Sequence, residues 1–179
     1  MKIILCAVDE TLRLAWEAAL LAHVPALEQD GHILQTATGD ITALTVDAVV
    51  SPANSYGHMR GGVDLAYAKR FGPGLEKTLQ AKIAALPQGL LPVGEALCVR
   101  TGDAVIPYLI SAPTMKTPMR LSGPAPIQAA SRAAAACAQR EGVASLAFPG
   151  MGTGTGGLSP ETATTAMLHG IREALTIVY

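Results

Sequence analysis

Apolar and polar positions along the chain follow two alternating periods. Lys2 to Val8 is a short apolar run closed by Asp9 and Glu10, the pattern of a buried strand. From Glu10 to Ala22 the apolar residues Leu12, Ala15, Trp16, Ala19 and Leu20 recur at helical spacing. Strands are predicted over His32 to Ala37 and Ala48 to Val50, with Gly39, Asp40, Ile41 and Thr42 in the turn between them. A glycine-containing loop, Ser51 to Gly62, leads into a helix over Val63 to Phe71, which Gly72, Pro73 and Gly74 interrupt. A second helix over Leu75 to Leu86 stops at the Pro87 to Pro92 turn. Strands follow over Ala96 to Arg100 and Tyr108 to Ala112. Ala129 to Arg140 is alanine-rich and helix-forming, with Gly142 placed for its C-terminal cap. Ser145 to Phe148 is a strand. Ser159 as N-cap and Pro160 at the first helical position open a last helix, with Ala163, Ala166, Met167, Ile171, Ala174 and Leu175 on one face.

Strands alternating with helices predict a layered α/β/α fold, with ligands expected where loops leave the carboxyl ends of strands. Neither a repeat nor a linker divides the chain, so residues 1–179 read as one domain, with 1–38 its N-terminal strand-helix-strand portion. Pro113 to Pro126 reads either as a mobile flap or as an ordered surface crossover.

Composition narrows the partners. Half the residues are apolar and 15% are charged, a balance that excludes disorder. A net charge of −1 without a basic run removes the electrostatic footprint of a general nucleic-acid binder, so any phosphate must be held locally. The apolar start is too short for a signal peptide or a membrane span. Cys6, Cys98 and Cys137 are widely spaced and odd in number, which suits free thiols in a cytoplasmic protein. His23, His32 and His169 are scattered without ligand spacing, so neither a metal nor another cofactor is expected.

Two loops carry the chemistry. Pro149 to Leu158 holds five glycines between a strand and a helix start. Gly152, Gly154, Gly156 and Gly157 lack a Cβ, so their amides can converge on a diphosphate, with hydroxyls from Thr153 and Thr155. The spacing of Gly152, Gly154 and Gly157 fits a dinucleotide fingerprint, but too little chain follows for the second strand and its acid. No Lys follows as a triphosphate-binding loop requires. The other loop runs through Asn54 to Gly61, Gly62, Val63 and Asp64, again opening from a strand into a helix. Asn54 can hold a ribose hydroxyl or close an Asx turn. Asp64 can act as a general base or merely favour the first helical turn. Asp40 can cap its own turn, and His58 and Arg60 read as solvated loop residues.

In order along the chain, Gly39-Asp40-Ile41-Thr42, Asp47 to Asn54, Gly61 to Asp64 and Phe148 to Gly157 resemble the macrodomain family, most of all a bacterial and phage-associated branch. The resemblance implies a three-layer α/β/α fold with a central mixed sheet. It further implies that Asp40 and Ile41 recognise adenine and that Asn54 holds the distal ribose. Gly61, Gly62 and Val63 with Gly152 to Gly157 would then enclose the diphosphate, and Asp64 with Asn54 would activate water. Ser51 stands where many members carry another Asn, and Gly156 where an aromatic residue commonly meets the ribose. The expected partner is therefore ADP-ribose or an ADP-ribosylated macromolecule. Hydrolysis of mono-ADP-ribosyl or O-acetyl-ADP-ribose esters is the conditional extension, and a non-catalytic phage-tail-like assembly module is the alternative.

Overall fold

The computed structural model describes residues 1–176, excluding the side chains at 22–24, 26 and 29. The elements in chain order are β1 (Lys2–Ala7), α1 (Glu10–Gln29), β2 (Ile33–Thr38), a 3-10 turn (Ile41–Ala43) and β3 (Ala48–Ser51). Then come α2 (Gly62–Phe71), α3 (Gly74–Ala84), β4 (Leu97–Arg100), β5 (Tyr108–Ser111), α4 (Ala125–Arg140), β6 (Ser145–Phe148) and α5 (Pro160–Leu175). Among the described residues one six-stranded sheet has the order β2-β1-β6-β3-β5-β4. Every pairing is parallel except β4 against β5, which makes the sheet mixed.

Strand alternation sorts the core into two halves. Ile3 and Leu5 of β1, Val50 of β3 and Phe148 of β6 face the layer of α1, α4 and α5, where Trp16 is fully buried. Ile4, Cys6, Val49 and Ala147 face the opposite way, onto Tyr67 of α2 and Leu75, Leu79 and Ile83 of α3. Helices on both faces of the sheet make the expected three layers. In the first layer α4 and α5 come together at Gly170, where an added Cβ would stand 2.2 Å from the Gln128 carbonyl oxygen. No larger residue permits that approach.

Three elements differ from the sequence expectation. Helix α1 runs past Ala22 and through Pro25 to Gln29, because Leu27 continues its buried face and offsets the missing backbone donor. Helix α4 begins four residues earlier than Ala129, at Ala125, since Pro126 sits in the first turn, where its absent N–H costs nothing. The turn at Ile41 tightens into 3-10 geometry. The caps at Ser159 and Gly142 form as expected: Ser159 accepts from the Thr162 amide, and Gly142 takes a φ of 70°.

Strand β1 lies inside the sheet, between β2 and β6, so the first 38 residues supply both a central and an edge strand. Removing residues 1–38 strips the flank of β6 and the helix that buries Leu146 and Phe148. The shortened chain is expected to lose its cooperative thermal transition, which circular dichroism melting would detect.

Candidate functional site

The five parallel strands end along one edge, in the order Thr38, Ala7, Phe148, Ser51, Ser111. That edge therefore carries, side by side, Asp40, Val8, the loop 149–159, the loop 52–61 and the connection 112–124. The two glycine loops leave neighbouring strands, β6 and β3. Asp40 follows β2, two strands from β6 or about 10 Å at normal strand spacing.

The loop after β6 is a folded turn whose glycines have separate reasons. A Cβ at Gly156 would stand 2.6 Å from the Gly152 carbonyl oxygen, and one at Gly152 would stand 2.5 Å from Ile127 Cδ1. Gly154 faces open space. The Gly157 amide donates to the Gly154 carbonyl and the Leu158 amide to that of Gly152, each at 3.0 Å. These two bonds hold the turn closed. Among the described residues the amides of Gly152, Thr153, Gly154, Thr155 and Gly156 meet no protein acceptor. They form a run of donors beside the N-terminus of α5.

The loop after β3 is closed by Asn54. Its Oδ1 accepts from the Tyr56 and His58 amides at 3.1 and 3.3 Å, and its Nδ2 donates to the His58 carbonyl at 3.0 Å. Asn54 is only 7% exposed, so the Asx-turn role weighed from sequence is the one the side chain fills. Asp40 likewise caps the 3-10 turn, accepting at Oδ1 from the Thr42 amide and hydroxyl at 2.8 and 2.7 Å. Those bonds hold its carboxyl below the usual range; Asp40 is exposed, while Ile41 beside it is buried. Helix α2 starts at Gly62 with no side-chain cap on Gly61, and the amides of Gly62, Val63 and Asp64 have no acceptor among the described residues.

Asp64 points back beneath this loop. Its Oδ1 accepts from Ser51 Oγ at 2.5 Å, and the residue is 8% exposed. Burial pushes its carboxyl up to about 7, against the opposing pull of the Ser51 hydrogen bond. Tyr67, one turn further along α2, is fully buried and donates to the Val50 carbonyl at 3.0 Å. Two side chains of this loop approach Glu76: His58 Nδ1 lies 3.8 Å and Arg60 Nε 4.0 Å from its carboxylate. Among the described residues no cluster of His, Cys, Asp and Glu could hold a metal. His23 falls outside the described side chains. The thiols are free; burial raises Cys6 and Cys137 and takes Cys98 to about 11, so none is a poised nucleophile. No described helix is long and apolar enough to cross a membrane. Two shallow surface grooves lie along the N-terminal halves of α1, α4 and α5, lined by Leu14, Ala18, Gln128 and Thr165.

The sequence reading did not single out the connection 112–124 as part of this site. Residue 115 bridges to Asn54, the Ser55 amide donates to the Met115 carbonyl at 3.1 Å, and the Leu121 amide donates to the Gly156 carbonyl at 2.9 Å. The segment thus ties one glycine loop to the other. Its Lys116 and Arg120 were legible as cations, but nothing local in the sequence says which loop they approach. Val8, 69% exposed at the tip of β1, also reaches this edge only through the fold.

The architecture is an α/β/α module with two amide-lined loops on adjacent strands. Residues 50–167 match the Macro domain family model, and the chain belongs to the macrodomain family. An uncharacterized Aquifex aeolicus protein is 36% identical, with 78% of this chain and 81% of that protein aligned. A macro domain-containing protein of Cupriavidus necator is 34% identical, over 81% of this chain and 83% of its own length. The chain spans only 64% of an Aeropyrum pernix relative and 37% of a Mycobacterium tuberculosis one. Among solved structures, the macrodomain of Mycobacterium tuberculosis DarG superposes with a TM-score of 0.66 at 25% identity, covering 78% of this chain and 90% of that one. The Oceanobacillus iheyensis macrodomain with ADP gives 0.67 at 25% identity, over 77% and 74%. The Trypanosoma brucei macrodomain in complex with ADP-ribose gives 0.63 at 25% identity, over 76% and 55%.

Asp64 makes folding pH-dependent. With its pKa raised to about 7, the folded chain keeps a proton that the unfolded chain releases near 4. Its contribution to stability is therefore full below pH 4 and declines as pH rises toward 7, by at most about 1.4 kcal/mol per pH unit. Asp64→Asn should flatten the fall in melting temperature between pH 5 and 8; an unchanged profile would exclude a raised Asp64.

Proposed function

We propose that this protein binds ADP-ribose. The observation that carries the reading is the pair of amide rows with no protein acceptor, Gly152 to Gly156 and Gly62 to Asp64, on loops from adjacent parallel strands. Backbone donors at helix N-termini suit a diphosphate, and they need no basic surface, in keeping with a net charge of −1. Asp40, with Oδ1 committed to its turn, retains Oδ2 for the adenine amino group. Macrodomains similar to this chain have been solved with ADP and with ADP-ribose. Asn54 serves the site by shaping the ribose-side loop.

Titration calorimetry with ADP-ribose should give saturable heat. Gly154→Val tests the site without disturbing the fold, because Gly154 has open space around it and no positive φ. The variant should melt with wild type yet bind at least about tenfold more weakly, the loss of a contact to a charged group. Absence of heat with wild type would leave the structural assembly module as the reading.

Hydrolysis of a mono-ADP-ribosyl or O-acetyl-ADP-ribose ester is a second reading, favoured by one observation. A carboxyl near 7 suits a general base at neutral pH, and Asp64 is such a group. Its burial and its bond to Ser51 mean that it reaches water only when Ser51 yields. Under this reading Asp64→Asn abolishes ester turnover and leaves ADP-ribose affinity within about threefold, under 1 kcal/mol. Equal turnover by the two proteins would dismiss it.

A further inference from the structure

The glycine loops supply neutral donors, and His58 and Arg60 of the first loop lean toward Glu76. Arg120 is different. It is exposed and forms no ion pair or hydrogen bond among the described residues. Its guanidinium nevertheless has a defined place. A Cβ at Gly157 would stand 2.8 Å from Arg120 Nη2, 3.0 Å from Cζ and 3.2 Å from Nε, so the guanidinium lies against the backbone of this glycine. The neighbouring Leu121 amide, bonded to the Gly156 carbonyl, anchors the backbone that delivers it. A guanidinium without a counter-charge, seated beside a run of free amides, adds a formal positive charge to their neutral donors.

We propose that Arg120 is the anion-binding side chain of the cleft. Laid across Gly157, it donates charge-assisted hydrogen bonds to the diphosphate of the bound nucleotide, and it selects nucleoside diphosphates over nucleosides. The inference rests on the ADP-ribose-binding reading above and adds a charged side chain to it. The connection 112–124 is then part of the binding machinery.

Calorimetric titrations of wild type, Arg120→Gln and Arg120→Lys with ADP-ribose, ADP and adenosine, at low and high salt, test it on the full chain. Arg120→Gln should weaken ADP-ribose and ADP binding by roughly ten- to a hundredfold, the range for a hydrogen bond to a charged group. It should also narrow the gap between ADP and adenosine and flatten the dependence of affinity on salt. Arg120→Lys should fall between the two and keep the salt dependence. If Arg120 only covers Gly157, Arg120→Gln lowers affinity for all three ligands together and leaves the salt dependence intact, which overturns the proposal. Wild-type affinity and salt dependence in Arg120→Gln overturn it as well, with ADP-ribose binding left standing. No heat from wild type with any of the three removes the binding reading itself.

Discussion

The parallel pairing of β3 with β6, with Ala48 opposite Leu146 and Val49 opposite Ala147, is the constraint on which the site depends. It brings two loops that are almost a hundred residues apart in sequence out of the sheet side by side. Asp47 fixes this register from the other end of the strands. Its Oδ2 accepts from the Ala144 and Ser145 amides at 3.0 and 2.8 Å, and its own amide donates to Ser145 Oγ at 2.8 Å. A one-residue slip would exchange the two faces of β3, turning Val49 and Val50 into the wrong halves of the core.

Given that register, the loops are arranged to keep donors unspent. Buried or clustered amides without acceptors are costly, and most protein loops satisfy them internally. The first loop spends its amides from Ser55 to Met59 on protein acceptors, and Gly157 and Leu158 close the second; the amides of Gly62 to Asp64 and of Gly152 to Gly156 meet none among the described residues. The remaining amides are held in position without being consumed. Such preorganisation lowers the ordering cost of binding, since the protein has already fixed the backbone that the ligand meets.

The N-terminal strand ties the site to the rest of the core. Gly39 donates from its amide to the Ala7 carbonyl at 2.8 Å, so the tip of β1 sets where the Asp40 turn begins. On the other flank β1 pairs with β6, the strand that launches the second glycine loop. Asp40 and the second glycine loop are thus spaced by a strand drawn from the start of the chain. A Cβ at Gly150 would stand 2.6 Å from Leu12 Cδ2, which shows how closely α1 approaches the base of that loop.

Much of this was written locally in the amino-acid order. The strand at Ser145, the Ser159-Pro160 helix start, the Gly142 cap and both glycine loops are short-range features, and the macrodomain motifs lie in contiguous segments. Local composition could offer alternatives for Asn54, Asp40 and Asp64, because an Asn or Asp in a turn makes the same residue pattern whether it bonds backbone or ligand. The tertiary structure adds the internal partners: Asn54 and Asp40 bond their own turns, and Asp64 folds inward onto Ser51. The same holds for β1 between β2 and β6, and for Arg120 on Gly157. Sheet order and long-range side-chain contacts depend on which surfaces bury one another, and no window of sequence contains both partners.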